Sequence, residues 1–297
     1  MNQSSLVEPD SLTGAISSLA LSKGTSSKAI QHLNAGAPFA CYQMLQDTIP
    51  SEHQEVSGYY TGKVGGRRRT SYGIELATVG LDEECFGTLP LDGHSAVPSW
   101  GIYSWVEEAL LALEERDIAS LEYITKWCRL IVWLQKIAES KHNEITSVAI
   151  PSMPFCVFVT RKAIRHIPPK TIIKYVGLYA LQENIFHECA HQELSAFLLT
   201  NDLLAERAVG DVQIDIPWRN TSWPIDRALH AAFVYSKLSE FRQLALKQNL
   251  LHLEEQRAVA TAQKSGKEAL NHLVSCLSDN LNVLSPAGVE VFSRLAG

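Results

Sequence analysis

The sequence predicts a mainly α-helical protein with a small β portion, built around a long helix that packs against a second histidine-bearing helix. Long apolar or amphipathic segments dominate the chain after residue 105. Short runs rich in β-branched and aromatic residues are confined to 55–100 and 147–160. Strands do not alternate with helices along the chain, which argues against a parallel α/β fold.

Length and composition are those of an ordinary globular protein. The chain has 297 residues, 46% hydrophobic and 20% charged, which is enough for one large domain or two small ones. We predict a single domain with an N-terminal subdomain. The net charge of −6 argues against nucleic acid or an anionic membrane as a general partner.

The expected compartment follows from three absences in the sequence. No apolar run reaches the roughly 18 residues that span a bilayer. Residues 1–10 lack the basic-then-apolar pattern of a secretory signal. The six cysteines are scattered without close pairing. We therefore predict reduced thiols in a cytoplasmic protein with no membrane partner.

In the N-terminal half, helical segments flank a stretch of different composition. Residues 51–98 are rich in Gly, Thr and Tyr, and we predict irregular or β structure with exposed loops there. The predicted helices are a short one within 1–30, then 28–48, 105–116 and 120–141. The last of these has a wide apolar face, so we expect it in the core.

The C-terminal half begins with strands in 147–160, which are interrupted by Pro151 and Pro154. A long helix is predicted from about 170 to 199, because two prolines precede it and proline suits a helix start. The segments after it are predicted, in order, as a loop or short strand at 210–219, a turn at 220–224, helices at 225–250 and 254–277, a turn at 285–288 and a short final helix.

The long helix carries a His-Glu-x-x-His motif, formed by His187, Glu188 and His191. The two histidines are spaced i, i+4, so they lie on one helix face and can hold one metal ion with Glu188 beside it. Unrelated helices match this short pattern by chance, and the histidines are then ordinary helix residues. Burial of both histidines and Glu188 in an apolar helix is costly without a partner, which favours metal.

A third ligand must come from elsewhere, and one coordination position must stay open for chemistry. The metzincin pattern fails, because Leu194 and Phe197 stand where it needs Gly and His. Glu206 is the candidate for a gluzincin-type site, although an ion pair with the adjacent Arg207 explains it equally well. His230 is the other candidate, on the next long helix.

Arg227 precedes His230 by one helical turn, and Arg219 lies nearby in sequence. Three neutral histidine ligands leave the charge of a divalent metal uncompensated, which favours an anionic co-ligand. A guanidinium can hold the distal carboxylate of such a ligand through two hydrogen bonds. A keto acid that chelates iron fits this description, whereas nitrogen ligands alone suit zinc as well.

Three segments together resemble a known family. They are Phe186-His-Glu-Cys-Ala-His-Gln192, Ile216-Pro-Trp-Arg219 and Trp223-Pro-Ile-Asp-Arg-Ala-Leu-His-Ala-Ala-Phe-Val234. They resemble the His-Glu-x-x-His peptide-modification proteins encoded beside ribosomal peptide precursors. Members of that family are regarded as iron- and 2-oxoglutarate-dependent β-hydroxylases of precursor-peptide side chains. The resemblance covers about residues 145–297.

The resemblance implies that His187, His191 and His230 bind Fe(II). It implies that Arg227 or Arg219 binds the far carboxylate of 2-oxoglutarate. A precursor peptide and O2 are then the co-substrates, and a hydroxyl is placed on a side-chain Cβ.

The resemblance covers only the C-terminal half, so we divide the chain into two regions. Residues 146–297 are predicted as the metal-binding catalytic region, and residues 1–145 as an N-terminal region that is a candidate peptide-recognition subdomain. Glu188 would orient a ligand or water in such an oxygenase.

Two other functions stay open at this point. In a zinc metallopeptidase, Glu188 is the general base that activates metal-bound water. In a non-enzymatic peptide-binding protein, the motif is vestigial or structural. The oxygenase is the preferred interpretation, because it uses the three histidines and an arginine together.

Overall fold

Helices make up most of the described chain in the computed structural model, which confirms the predicted mainly α fold with a small β portion. The structure describes residues 6, 67–77, 91, 93–97, 102–138, 140–141, 143–150, 155–168, 171–198, 201–205, 212–248 and 250–295. Apart from residue 6, the predicted helices within 1–30 and 28–48 lie outside the described residues.

Six α-helices fall within the described part of the chain. They are α1 (Tyr103–Arg116), α2 (Ile118–Trp127), α3 (Leu178–Leu198), α4 (Ile225–Gln248), α5 (Leu253–Ser278) and α6 (Pro286–Leu295). Helix α3 is central, since it packs against α1, α2 and α4. Helix α4 packs in turn against α5 and α6. The motif helix therefore packs against the second histidine-bearing helix, as predicted. No helix among the described residues is both long and apolar enough to cross a membrane.

Ten short strands complete the described part. They are β1 (Arg67–Arg69), β2 (Glu75–Ala77), β3 (His94–Ala96), β4 (Leu130–Lys136), β5 (Ser147–Ala149), β6 (Cys156–Thr160), β7 (His166–Ile167), β8 (Thr171–Ile172), β9 (Gln213–Ile216) and β10 (Thr221–Pro224). The main sheet has the order β1-β2-β4-β6-β5, with β3 also paired to β4. Strands β7–β8 and β9–β10 form two antiparallel pairs.

The main sheet is mixed, with both parallel and antiparallel pairs, within a chain that is mainly helical. Strands β2 and β4 are parallel, and so are β4 and β6, whereas β5 runs antiparallel to β6 at one end of the sheet. The sheet takes strands from both sides of position 145. The division into an N-terminal region, 1–145, and a catalytic region, 146–297, stays a prediction.

The predicted helix at 120–141 is wrong in its second half. Helix α2 ends at Trp127, and β4 begins at Leu130. Strand β4 lies between β2 and β6, and most of its side chains are buried. A strand buried on both faces is a continuous apolar run. Such a run cannot be told from a buried helix by periodicity alone.

Two smaller corrections concern the segments around the motif. The motif helix begins at Leu178 and not near 170, because Thr171–Ile172 forms strand β8. The predicted turn at 220–224 is mostly strand β10, and the turn itself is at Asn220, whose φ of 50° is left-handed. Asparagine tolerates this conformation better than most residues. The remaining helices predicted at 105–116, 225–250 and 254–277 correspond to α1, α4 and α5.

Buried polar side chains on α3 fasten it to its neighbours. Gln182 Nε2 donates to the carbonyl of Ala109 on α1 at 2.6 Å, and Gln192 Nε2 donates to the carbonyl of Cys156 on β6 at 2.9 Å. Each Nε2 group thus regains a hydrogen bond that it would otherwise make to water. These contacts fix the rotation of α3, and hence which face carries its histidines.

Two buried ion pairs hold α3 and α4 together. Arg242 Nη2 lies 2.5 Å from Glu183 Oε1, with side chains 1% and 0% exposed. Lys237 Nζ lies 3.3 Å from Glu193 Oε2, which also accepts the Tyr123 hydroxyl at 2.6 Å. Charges so deeply buried require partners at fixed positions. The pairs therefore set the register of the two histidine-bearing helices.

Candidate functional site

Three histidine rings meet between α3 and α4. His191 Nε2 lies 2.9 Å from His187 Nε2, and His191 Nδ1 lies 2.7 Å from His230 Nε2. The ring centroids are 4.8 Å apart for the first pair and 4.9 Å for the second. The structure thus brings together the two motif histidines and the distant His230 that the sequence analysis selected.

The three rings form a row with His191 in the middle. His191 faces its two neighbours with different nitrogens, whereas one ion takes one nitrogen from each ring. Among the described residues, accordingly, no group of three or more His, Cys, Asp or Glu side chains has the geometry of a metal site as it stands. A common ion requires the rings to turn so that their nitrogens converge.

Burial keeps all three imidazoles neutral. It lowers the pKa of His187 to about 3, and the charge of Arg242 adds to this effect. Burial also lowers the pKa of His191, with His187 and His230 contributing, and the pKa of His230, where Asp226 opposes the shift. Neutral imidazole is the form that binds metal.

The donor chemistry of the row fits a divalent metal. His187 Nδ1 is buried and has no hydrogen-bond partner among the described residues. Three neutral nitrogen donors on half-buried rings suit Fe(II) or Zn(II), and both ions accept imidazole ligands.

The row lies on the wall of a cavity of about 970 Å³, which we call the histidine cavity. Its lining comes from α3, α4, the β9–β10 segment and the residues around β5 and β7. The residues are Thr146, Ser147, His166, Pro168, Asn184, His187, Glu188, His191, Arg219, Thr221, Ser222, Trp223, Arg227, His230, Ala231, Val234, Tyr235 and Leu238. This volume accommodates a small co-substrate and part of a larger molecule.

Both predicted arginines line the histidine cavity. The guanidinium carbon of Arg227 lies 4.7 Å from the centre of the Trp223 ring, a cation–π contact that orients it. Arg219 ends the 3-10 turn Pro217–Arg219, just before the left-handed Asn220. Arg227 is one turn from His230 on α4, whereas Arg219 reaches the cavity from the 3-10 turn, and both side chains are exposed.

Glu188 also lines the histidine cavity but is held by the end strand of the sheet. The Ser147 hydroxyl donates to Glu188 Oε1 at 2.6 Å, and the backbone N–H of Ala149 is a second donor. Burial raises the pKa of Glu188 to about 7, and these two hydrogen bonds oppose the shift. The carboxyl group therefore joins α3 to β5 at the rim of the cavity.

Three further residues at the site, Ser147, His166 and Asn184, were not predicted from the sequence. Asn184 Nδ2 donates to the carbonyls of His166 at 2.7 Å and Ala163 at 3.1 Å, which fastens the segment before α3 to the helix. The charge of His166 helps to lower the pKa of His187. Ser147 contacts Glu188. Only Asn184 carried a usable signal, because it precedes His187 by three residues and so shares its helix face.

Glu206, the alternative third ligand, lies outside the described residues. In comparisons with known proteins, no family model matches the chain and no curated protein matches it.

Proposed function

We propose that this protein is a cytoplasmic iron- and 2-oxoglutarate-dependent oxygenase that hydroxylates a side-chain Cβ of a ribosomally made precursor peptide. One observation carries the proposal: three imidazoles from two helices meet on the wall of a cavity that also holds two guanidinium groups. A peptidase needs the metal and a base but has no special need of these arginines.

His187, His191 and His230 would hold the metal, and Arg227 or Arg219 would hold the distal carboxylate of the keto acid. When bound, Fe(II) supplies the activation of O2, with oxidation of the keto acid to succinate and CO2. The chain's own residues would position the metal and the keto acid. The guanidinium fixes the keto acid, and the half-buried histidines stay neutral for binding.

The histidine cavity would also receive the side chain of the substrate peptide. The cavity has room for a peptide side chain beside the imidazole row, and the peptide backbone would stay outside.

A zinc metallopeptidase is the second candidate, because Glu188 lines the same cavity. The carboxyl group of Glu188, however, already accepts hydrogen bonds from the Ser147 hydroxyl and the Ala149 backbone N–H. A general base must be within reach of the water from which it takes a proton. These two contacts favour a positioning role for Glu188.

Mass spectrometry and succinate analysis test the proposal. The purified chain is incubated with Fe(II), 2-oxoglutarate, O2 and the precursor peptide encoded beside its gene. We expect one added oxygen on the peptide and an equal amount of succinate. Cleavage of the peptide without keto acid would support the peptidase instead. An unchanged peptide with no succinate would count against both enzymes.

Replacement of Arg227 by alanine is expected to weaken 2-oxoglutarate binding. A hydrogen bond to a charged group contributes about 1.5–3 kcal/mol, so the KM for 2-oxoglutarate should rise roughly 10- to 150-fold. Arg227→Lys should recover little, because lysine lacks the fork that binds both carboxylate oxygens. Steady-state succinate formation measures the effect.

Arg219→Ala is the matched variant for this experiment, since Arg219 lines the same cavity. A larger KM effect in Arg219→Ala would reassign the carboxylate contact to Arg219. If neither variant changes the KM for 2-oxoglutarate, the proposed keto acid site is wrong.

Glu188→Gln separates the two candidate enzymes. The glutamine keeps the shape of the side chain, and its one carbonyl oxygen can still accept from the Ser147 hydroxyl. We expect hydroxylation to stay within about tenfold of the unsubstituted chain, since a general base contributes about 10²- to 10⁴-fold and none is needed here. Loss of a peptide-cleaving activity by that larger factor would show that Glu188 acts as a base.

A further inference from the structure

A second cavity lies directly beside the histidine cavity. It has a volume of about 390 Å³ and lies between the 3-10 turn Pro217–Arg219, α4 and α5. Trp218, Tyr235, Ala269 and His272 line it, and we call it the indole cavity. Arg219 and Tyr235 line both cavities, so the two share a wall.

The walls of the indole cavity are aromatic and rigidly placed. The Trp218 ring lies edge-on to Tyr235, with centroids 6.5 Å apart, and edge-on to His272 at 5.6 Å. His272 is fixed from behind, because its Nε2 lies 2.8 Å from the carbonyl oxygen of Asp215 on β9. Aromatic rings in such edge arrangements pack well against a further ring.

Trp218 meets the cavity through its ring carbons. Its Nε1 atom is covered by protein and is closed to a ligand in the cavity. The cavity therefore offers aromatic ring surface, and a peptide supplies a matching ring from an aromatic side chain.

We propose that the indole cavity binds an aromatic side chain of the substrate peptide, packed against the rings of Trp218, Tyr235 and His272. This subsite rests on the proposed peptide substrate, and it gives that substrate an aromatic residue close to the modified position. The volume falls within the range of about 300–1,000 Å³ typical of ligand sites. The wall shared with the histidine cavity allows one peptide to occupy both.

Nuclear magnetic resonance of the full chain with ¹⁵N-labelled indoles tests the subsite without metal or keto acid. N-acetylphenylalaninamide is the probe, and N-acetylalaninamide is its control. We expect the Trp218 indole signal, assigned with Trp218→Phe, to shift in a saturable way with the phenylalanine compound alone. A Trp218 signal that does not move, or that moves equally with both compounds, overturns the proposal.

Two matched variants on α5 complete the test. Ala269→Leu fills the indole cavity and should weaken probe binding by at least about tenfold. Ala260→Leu makes the same change at an exposed position of α5 and should bind the probe like the unsubstituted chain. Ala269→Val is the substitute if Ala269→Leu fails to fold, as judged by circular dichroism. Undiminished binding in a folded Ala269 variant overturns the subsite.

This experiment is independent of the proposed hydroxylation. If the chain binds the phenylalanine probe at Trp218 but forms no succinate, the subsite proposal stands and the oxygenase proposal is wrong. If the chain hydroxylates its peptide but the Trp218 signal does not respond to the probe, the oxygenase proposal stands and the subsite proposal is wrong.

Discussion

Replacement of His230 by alanine is expected to abolish both stoichiometric iron binding and peptide hydroxylation. His230 is one of three adjacent rings, and its Nε2 lies 2.7 Å from His191 Nδ1. Loss of a residue that only supports a ligand costs about 10- to 100-fold in metal affinity, so loss of a ligand should cost more than about 100-fold. Anaerobic iron titration and succinate formation measure the two effects.

The control for this variant is His252→Ala, because His252 is exposed and does not line the histidine cavity. It should bind iron and form succinate like the unsubstituted chain. Circular dichroism must show that His230→Ala remains folded. If folded His230→Ala binds iron with unchanged affinity, His230 is not a ligand and the oxygenase proposal loses its third nitrogen.

Replacement of Arg242 by methionine is expected to give the largest loss of stability. Arg242 donates to Glu183 Oε1 through Nε at 3.1 Å and Nη2 at 2.5 Å, and to the carbonyls of Ala262 at 3.1 Å and Pro168 at 2.7 Å. Removal of one partner of a buried pair leaves an uncompensated charge and costs about 3–5 kcal/mol. The melting temperature should fall by roughly 6–15 °C.

Two further variants isolate the buried charge as the cause. Arg257→Ala removes an exposed arginine from α5 and should leave the melting temperature within about 2 °C of the unsubstituted chain. Glu183→Gln combined with Arg242→Met removes both charges and should recover part of the loss. If Arg242→Met alone melts like the unsubstituted chain, the pair does not hold α3 to α4.

The adjacency of His187 and His191 could be predicted, because it follows from helix periodicity alone. Their i, i+4 spacing places both rings on one face of any helix that contains them. The inclusion of His230 required a long-range contact between α3 and α4. His230 is predicted from the Arg-x-x-His spacing and the resemblance. No local rule predicts that it lies beside His187 and His191.

The sheet could not be predicted in its observed form. Residues 130–134 are continuously apolar, and this pattern fits a buried helix as well as a buried strand. The assignment of β4 depends on its parallel partners β2 and β6, which are distant in sequence. The error at 120–141 therefore concealed the parallel pairing as well.

The contacts around Glu188 and His187 were also beyond local reasoning. Ser147 reaches Glu188 because β5 lies at the end of the sheet beside α3, and Arg242 acts on His187 from the next long helix. Sequence patterns identify residue types on a helix face. They do not identify which distant strand or helix covers that face.

An anaerobic titration of the purified chain with Fe(II), with and without 2-oxoglutarate, tests the central claim most directly. The proposal predicts one iron per chain and a visible absorption band of iron chelated by the keto acid, seen only when both are present. The band should be absent in His230→Ala and should require more 2-oxoglutarate in Arg227→Ala. A chain that binds zinc tightly, shows no such band at saturating 2-oxoglutarate and cleaves peptide without it would contradict the proposal.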